Sequence, residues 1–482
     1  MKDIIKSFSK LSVSSSLSVI TSVVRIKILA VLLGPTGLGL LSQMMNLSTL
    51  ITAVFPIGAI GLTTYVSKLK NSQVPKINYI LKYFIRLNII GVFVVIIILI
   101  FFSEKLSTIL LGAGDYQIYI LLFLISLPLS LIFSFIDIYL RGIRQINKYV
   151  LLISISSLVN LFIYIPLVIY FKLTGAIIGL IIAPLISCVI GFFILKKNAL
   201  YPNFKDVEVA EKKIKVDIIK IGLSSSIILL IQNLIYLFIR TSIIKSLGES
   251  QAGIFQSIFA ISNNYFSIFF SLMAIYSIPK ISEMIKSEDK INEINQTLKF
   301  MLILYTPMIL IFYIFRYYII ILLYSDSFLP AESLLFFQLL GDFFKVLGWV
   351  FGLWLIPSMK IKAWFIFDFI FYTIFFCVFY VLFYFYSFGL KSAPIAYLIA
   401  YIIHFVINLI YIFYSLRFKF KRDSARVVII STFVIIINFF VSSIFKQYGY
   451  YLIFPSLAIW GYFIFEKHDF DNIKKLLFRK DQ

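Results

Sequence analysis

The chain has few of the residues from which catalytic and metal sites are built. Its 482 residues include two cysteines, two histidines and 22 acidic side chains, against 44 basic ones. Cys188 and Cys377 both lie in apolar stretches, and His404 and His468 are far apart in the sequence. We therefore expect no disulfide framework, no metal site and no cofactor.

The motifs of common enzyme classes are also missing. The sequence has no Ser/His/Asp arrangement, no Gly-Lys-Ser phosphate-binding loop and no carboxylate pair at hydrolytic spacing in a soluble region. A membrane-bound polysaccharide polymerase or ligase is the main enzymatic alternative, but such enzymes usually carry a long outer loop, and every predicted outer connection here is short. The sequence therefore favours a transporter driven by an ion gradient, the membrane potential or the substrate gradient.

Apolar residues dominate what is present. They make up 61% of the chain, and the mean hydropathy is +1.00, whereas soluble domains are about 45–50% apolar. This composition predicts an all-α polytopic membrane protein. The apolar run from Leu11 has no small-residue cleavage site, which indicates a retained first span rather than a signal peptide. The net charge of +22 does not form one soluble patch, so no nucleic-acid partner is expected.

Polar breaks divide the chain into fourteen predicted spans, of which the last two are the shortest for a hydrocarbon core of about 30 Å. Their ranges are 11–33, 38–66, 83–103, 117–140, 149–171, 175–195, 218–245, 251–279, 299–323, 331–358, 363–387, 392–416, 427–445 and 449–465.

The basic residues test this segmentation because cytoplasmic loops are enriched in them. With the N-terminus inside, 34 of the 44 fall in cytoplasmic segments. Only 5 fall in outer connections, and the remaining 5 lie within spans. The alternation never breaks, so we expect a multi-pass protein with both termini in the cytoplasm.

A weak internal repeat divides the chain into two lobes. The segment Leu33 to Leu40 is echoed by Leu247 to Ile254, and Gly175 to Gly179 is echoed by Ser392 to Ala396. We predict a six-helix lobe over 1–195, an interlobe loop over 196–217, a second six-helix lobe over 218–416, and a basic loop, two further helices and a cytoplasmic tail over 417–482. Such parallel repeats place a substrate site in a central cleft between the lobes, which alternating access opens to each side.

Two stretches carry a family resemblance. They are Gly34-Pro35-Thr36-Gly37-Leu38-Gly39 with Gln43, and Gln338-Leu339-Leu340-Gly341-Asp342-Phe343-Phe344-Lys345-Val346 with Gly348 and Val350-Phe351-Gly352. They resemble the Wzx-type polysaccharide flippases, most closely the WzxE and O-antigen translocase branch of the MATE-like multidrug, oligosaccharidyl-lipid and polysaccharide exporter superfamily. Those relatives are usually drawn with twelve helices, two fewer than predicted here.

The resemblance implies a flippase in the bacterial cytoplasmic membrane. Its substrate would be an undecaprenyl-diphosphate-linked oligosaccharide, such as an O-antigen repeat unit for lipopolysaccharide, moved from the inner to the outer leaflet. Implied partners are membrane lipids, a polysaccharide polymerase with a chain-length regulator, and protons or another coupling ion. A peptidoglycan lipid II flippase is the alternative, whereas a MATE-type drug antiporter should favour acidic residues at depth.

The five basic residues within spans are the predicted substrate-binding set, because each costs several kcal/mol in lipid unless it faces a partner or a wet cavity. Cationic side chains are also strong donors to phosphate oxygens. Each of these residues also has a structural alternative. Its side chain snorkels to the membrane interface, or, for Lys345, forms an ion pair with Asp342 that fixes helix packing. The set is Arg25, Lys27, Arg240, Arg316 and Lys345.

Four residues are predicted to act in coupling or gating. Asp342 lies one helical turn from Lys345, so its protonation is expected to release that lysine to the diphosphate. Asp137 pairs by spacing with Arg141, Asp368 lies near the start of span 11, and His404 titrates in the working pH range. Helix capping and helix contacts are the alternatives for these last three. Asparagines within spans, Asn160 and Asn263 among them, are predicted either to contact sugar hydroxyls or to join helices.

Overall fold

The computed structural model describes residues 2–54, 74–111, 114–143, 145–198, 200–205, 208, 212–445 and 449–464. Several predicted features lie outside the described residues: the end of span 2 from residue 55, parts of the 196–217 loop, Lys446 and the tail from residue 465. The described part is helical throughout and has no strand, which confirms the all-α polytopic class.

Fifteen helices follow one another along the described residues. The first seven are α1 Lys2–Val54, α2 Val74–Leu111, α3 Gln117–Leu124, α4 Ser126–Gly142, α5 Ile146–Lys197, α6 Lys212–Leu247 and α7 Glu249–Ala260. The other eight are α8 Ser267–Glu283, α9 Ser287–Ile314, α10 Arg316–Leu323, α11 Glu332–Gly352, α12 Ile361–Tyr380, α13 Ser392–Leu416, α14 Arg422–Ile444 and α15 Gly449–Ile464. Single π-helical turns cover Ile261–Tyr265 and Val381–Phe385.

Ten segments of the described chain are long and apolar enough to cross a membrane, and Ile453–Ile464 is a shorter apolar helix. Helices suit this setting because each satisfies its own backbone hydrogen bonds in lipid. Two of the long segments bend sharply, at Gly34 within α1 and at Lys172 within α5, where the backbone leaves helical geometry. The helix α5 therefore holds two of the predicted spans, and α1 holds the first span with the described part of the second.

The bends reproduce the internal repeat at the level of backbone angles. Gly34 has a φ of 63°, and its counterpart Gly248 has a φ of 93°. Lys172 has a φ of 48°, and Gly389, at the same place in the second repeat, has a φ of 55°. Positive φ values are uncommon outside glycine, so the repeat is conserved in the turn geometry as well as in sequence.

Proline explains two places where the predicted spans are interrupted. Predicted span 4 is divided at Ile125 into α3 and α4, because Pro128 has no N–H to bond the carbonyl of Leu124. Predicted span 10 continues to residue 358, but α11 ends at Gly352. Pro357 leaves the carbonyl of Leu353 without its helical donor in the same way.

The chain separates into two compact units. The first comprises Met1–Ala260 with Leu323–Phe328, and the second comprises Ile261–Leu322 with Leu329–Gln482. Helices α6 and α7 therefore pack with the N-terminal helices, although they belong to the second sequence repeat. The predicted lobe boundaries at 196–217 follow the repeat rather than packing, and they remain a prediction.

In the first unit, two glycines allow a close helix crossing. A Cβ atom on Gly39 would overlap the backbone carbonyl of Glu249, and one on Gly253 would overlap the carbonyl of Pro35. The two echoed loops therefore pack directly against each other. Small residues are the usual means by which membrane helices approach so closely.

In the second unit, the C-terminal helices pack on α9. The Asn295 side chain accepts a hydrogen bond from the Lys421 backbone N–H and donates one to the Lys419 carbonyl. At the other end of the contact, the rings of Tyr313 and Phe439 stack with centroids 3.8 Å apart. The helix α14 is therefore an integral part of the second unit.

Candidate functional site

The predicted site residues are divided between the two units. Arg25, Lys27, Arg240 and Asp137 lie in the first, and Arg316, Asp342, Lys345, Asp368 and His404 lie in the second. Each unit contains buried or half-buried basic side chains with polar neighbours.

In the second unit, Asp342 is the centre of a buried hydrogen-bond network. Its carboxylate accepts from the Ser262 hydroxyl at 2.6 Å and from the Tyr397 hydroxyl at 2.8 Å. Gln338, one turn earlier on α11, donates to the Ser262 oxygen at 2.8 Å. Asp342 is 1% exposed, so these bonds replace the water that its charge would otherwise require.

Lys345 reaches this network through Tyr397. Its ammonium donates to the Tyr397 hydroxyl oxygen at 3.3 Å and to the Asn263 side-chain oxygen at 3.2 Å. It also lies 5.6–5.9 Å from the ring centres of Phe270, Tyr397 and Tyr401, within the range of cation–π attraction. The spacing of Asp342 and Lys345 predicts a direct pair, but the Tyr397 hydroxyl bridges them instead.

The glycines of the α11 motif explain how Tyr397 comes to this position. A Cβ atom on Gly341 would lie 2.6 Å from the Tyr397 ring, and one on Gly348 would lie 2.9 Å from His404 Nδ1. A Cβ on Gly352 would lie 2.9 Å from Asn408 Oδ1. The three glycines therefore receive the side chains of α13 in one constant register, which sets Tyr397 against Asp342.

His404 and Asp368 also come together. His404 Nε2 lies 3.5 Å from Asp368 Oδ1 and 3.2 Å from the Asn408 amide nitrogen. His404 Nδ1 is buried against Gly348 without a hydrogen-bond partner among the described residues. These contacts join α11, α12 and α13.

Arg316 has partners that account for its burial. It is 9% exposed, donates to the Tyr313 carbonyl and the Ser442 hydroxyl, and lies 3.9 Å from a carboxylate oxygen of Glu332. The Tyr313 carbonyl lies in the last turn of α9, where helix carbonyls lack a regular helical donor. These contacts fit the structural alternative, in which Arg316 ties α9 to α14.

Arg240, in the first unit, is a buried cation with incomplete partners. It is 1% exposed, and one terminal nitrogen donates to Gln256 at 2.5 Å. Its guanidinium carbon lies 4.8 Å from the ring centre of Phe259. The nitrogens Nε and Nη1 have no hydrogen-bond partner in the described part of the chain. Unpaired buried donors are costly, so Arg240 has bonding capacity that its described neighbours do not use.

Arg25 lies in a polar cavity of about 320 Å³ within the first unit. Its guanidinium is 5.6 Å from the ring centre of Tyr164. The cavity is bounded by α1 and α5, and its described lining is Ser18, Thr21, Ser22, Arg25, Ser157, Asn160, Leu161, Tyr164, Gly179 and Ala183.

Lys27 and Gln43 connect helices in the same unit. The Lys27 ammonium donates to the backbone carbonyl of Tyr324, whose own hydroxyl donates to the Ser257 carbonyl. The Gln43 amide nitrogen bonds the Thr241 hydroxyl at 2.7 Å. Both residues therefore hold α1 against later parts of the chain.

Asp137 pairs with Arg141 on α4, as the spacing predicts, and Arg141 also lies over the Tyr149 ring. The pair is partly exposed at the end of the helix, which fits either a gate or simple capping. Among the described residues, no three His, Cys, Asp or Glu side chains are grouped to hold a metal ion.

The sequence does not identify several residues of these groups. Tyr397 and Ser262 lie far from Asp342 in sequence, and no periodicity links them. The cavity around Arg25 does leave a signal, because Ser18, Ser22 and Arg25 share one helix face, as do Ser157, Asn160 and Tyr164. Two such polar stripes in apolar helices indicate a shared wet surface.

Fold and site together define the class: a multi-pass membrane protein with a repeated helical architecture and cations at depth. No established family profile matches the chain. It is 22% identical over 342 residues to the lipid III flippase of Escherichia coli (strain K12), covering 70% of this chain and 82% of that protein, and the Shigella flexneri lipid III flippase aligns equally.

Solved transporter structures share the fold. An inward-facing multidrug resistance MATE family transporter of the MOP superfamily superposes with a TM-score of 0.71 at 14% identity, covering 84% of this chain and 95% of that one. The lipid II flippase MurJ, in an inward closed conformation, gives 0.70 at 14% identity, covering 97% and 99%. The chain thus has a MATE/MurJ-like fold, and its relatives are flippases and transporters rather than enzymes.

Proposed function

We propose that this protein is a Wzx-type flippase, which moves an undecaprenyl-diphosphate-linked oligosaccharide from the inner to the outer leaflet of the bacterial cytoplasmic membrane. Transport proceeds by alternating access, with both termini in the cytoplasm. The similarity to lipid III flippases over 70% of the chain supports a lipid-linked oligosaccharide as the substrate class. An O-antigen or similar repeat unit is the particular substrate proposed.

The observation that carries the proposal is Arg240. A guanidinium that is 1% exposed, with Nε and Nη1 unpaired in the described structure, has donors to offer a diphosphate. Charge-assisted bonds from guanidinium to phosphate oxygens are among the stronger polar interactions. Access of the substrate to Arg240 then replaces unpaired donors with paired ones, which stabilises the open conformation.

The Asp342 network is proposed as the coupling element. Asp342, Tyr397 and Lys345 form a continuous chain of hydrogen bonds. Protonation of Asp342 removes the charge that Tyr397 and Ser262 donate to, and it frees Lys345 to serve an anionic substrate. A proton or another cation is the proposed coupling partner. A polysaccharide polymerase and a chain-length regulator are the proposed protein partners downstream.

Lipid II is the second candidate substrate, because the lipid II flippase MurJ matches 97% of this chain and 99% of its own length. That coverage includes the C-terminal helices α14 and α15, by which this chain exceeds the twelve-helix relatives. Both candidates share a diphosphate linkage, and they differ in the sugar head.

Proteoliposomes containing the purified protein test the proposal. We expect transbilayer movement of a fluorescent undecaprenyl-diphosphate-linked oligosaccharide, measured by quenching from outside, and little movement of fluorescent lipid II. Arg240→Gln should lower the initial rate about tenfold or more, since it removes a charged donor from the diphosphate. Transport of lipid II alone would instead establish the second candidate.

Lys245→Gln is the matched control for Arg240→Gln, because Lys245 is an exposed cation near the end of the same helix, α6. It should transport at the wild-type rate. Equal rates for Arg240→Gln and Lys245→Gln at equal protein content would contradict the role given to Arg240.

A further inference from the structure

We propose that the cavity around Arg25 is a separate binding site for one acidic sugar unit, a carboxylated hexose such as a uronic acid. The inference rests on the proposed function, because the sugar head of a lipid-linked oligosaccharide is the natural source of such a unit. It assigns Arg25 to the sugar rather than to the diphosphate.

The cavity belongs to the first unit alone, and its charge is of one sign. Arg25 is the only charged side chain in its described lining, and none of the described lining residues is acidic. The Arg25 guanidinium faces the Tyr164 ring, with no hydrogen-bond partner in the described residues. A half-buried cation with no acidic neighbour in a membrane protein favours an anionic ligand.

The neutral lining residues narrow the kind of anion. Asn160 Oδ1 is buried and has no donor among the described residues. Ser18 and Ser157 bond to each other at 3.1 Å, and each hydroxyl keeps further bonding capacity. An acceptor that lacks a protein donor favours a ligand with hydroxyl groups, which chloride does not have and a sugar does.

The size and the aromatic wall fit a single ring. A volume of about 320 Å³ lies at the lower end of the roughly 300–1,000 Å³ of small-molecule sites, so the cavity has room for one sugar ring. Tyr164 forms one wall, and it takes this place because Gly179 has no Cβ atom to displace its ring. Gly179, which ends the repeated segment Gly175 to Gly179, therefore leaves the space that the Tyr164 ring occupies.

Two polar stripes show that the cavity is a built feature of the helices. Ser18, Thr21, Ser22 and Arg25 repeat on one face of α1, and Ser157, Asn160 and Tyr164 repeat on one face of α5. In hydrocarbon, such stripes are stable only against each other or around a polar ligand.

Titration calorimetry on the full chain in nanodiscs tests the site directly, with free glucuronate, glucose and inorganic phosphate as probes. We expect glucuronate to bind, and glucose and phosphate to bind at least tenfold more weakly. Arg25→Gln and Asn160→Ala should each weaken glucuronate binding about tenfold or more, because each removes a hydrogen bond to a ligand with a charged group. Arg86→Gln, which removes an exposed guanidinium on α2, should leave it unchanged.

A transport comparison separates this inference from the proposed function. Two fluorescent lipid-linked oligosaccharides are used, one with a uronic acid and one with the neutral hexose at the same place. Arg25→Gln should lower the rate for the acidic substrate about tenfold more than the rate for the neutral one, and Arg25→Lys should recover part of that selectivity. Equal losses for both substrates, or equal binding of glucose and glucuronate by wild-type protein, would overturn the acidic-sugar site while leaving the flippase proposal intact. Absence of any transport together with glucuronate binding would overturn the flippase proposal alone.

Discussion

At the scale of single residues, Tyr397 decides how the charges of α11 interact. Its hydroxyl donates to Asp342 and accepts from Lys345, so one oxygen relays between a buried carboxylate and a half-buried ammonium. Because hydrogen bonds in a chain polarise one another, a change of charge at Asp342 alters the bond that Lys345 makes to the same hydroxyl oxygen.

Tyr397→Phe should destabilise the protein by about 1–3 kcal/mol, because it leaves a buried carboxylate oxygen of Asp342 without its donor. The loss is measured as a lower midpoint of thermal unfolding in detergent. Tyr414→Phe provides the control, since Tyr414 lies on the same helix and is 87% exposed. If both variants unfold at the wild-type temperature, the hydroxyl bridge contributes nothing to stability.

At the scale of helices, glycines fix which helices approach one another. Gly39 and Gly253 bring the two echoed loops of the first unit into backbone contact, and Gly341, Gly348 and Gly352 receive the side chains of α13. An alanine methyl group would have different nearest contacts at these positions. At Gly253 it would meet the Pro35 backbone, and at Gly348 it would first meet the His404 ring.

Alanine substitution should therefore rank these positions. Gly253→Ala should lower the unfolding temperature most, because the backbone of Pro35 cannot move aside without separating two helices. Gly348→Ala should have a smaller effect, since its methyl group would meet the His404 ring at 2.9 Å and the Phe405 backbone only at 3.3 Å. Gly114→Ala is the control, because its methyl group would meet only Thr108, at 3.8 Å. The reverse order in a thermal unfolding series would show that these crossings are not the tight points of the fold.

The repeat and the glycine motif could be predicted from the sequence, because glycine itself permits the backbone turns and close helix crossings found there. Gly34 and Gly248 are needed where φ is positive, and the α11 glycines mark a helix crossing. The partners of Asp342 could not be predicted in this way. Ser262 lies 80 residues before Asp342 in the sequence, and Tyr397 lies 55 residues after it. Ser262 reaches Asp342 from the π-helical turn, and Tyr397 reaches it because α11 packs against α13.

The neighbours of Arg25 could be predicted only in part from its position in the first span. A basic residue in a span predicts a wet or paired environment, and the structure gives Arg25 one. The position along the helix does not predict which neighbours supply that environment. The serine and asparagine stripes on α1 and α5 carry that information, and their spacing becomes meaningful once the two helices are known to pack.

At the scale of the whole molecule, the distribution of charge predicts the orientation in the membrane. The exposed lysines Lys105, Lys172, Lys245 and Lys391 mark the sparsely charged side. Lys286, Lys360 and Arg417 are exposed on segments assigned to the cytoplasm. The excess of 34 basic residues over 5 predicts that the richly charged side is cytoplasmic, because positively charged loops are retained there.

Two single-cysteine variants test this orientation in intact cells. The background replaces the two native cysteines, Cys188→Ala and Cys377→Ala, so that one thiol remains in each variant. Lys391→Cys should react with a membrane-impermeant maleimide added from outside, and Lys286→Cys should react only after the cells are permeabilised. Both positions are exposed lysines of the second unit, so a difference in labelling reports sidedness rather than burial. Labelling of Lys286→Cys in intact cells, with Lys391→Cys protected, would show that the topology is the inverse of the predicted one. The proposed substrate would then enter from the opposite side.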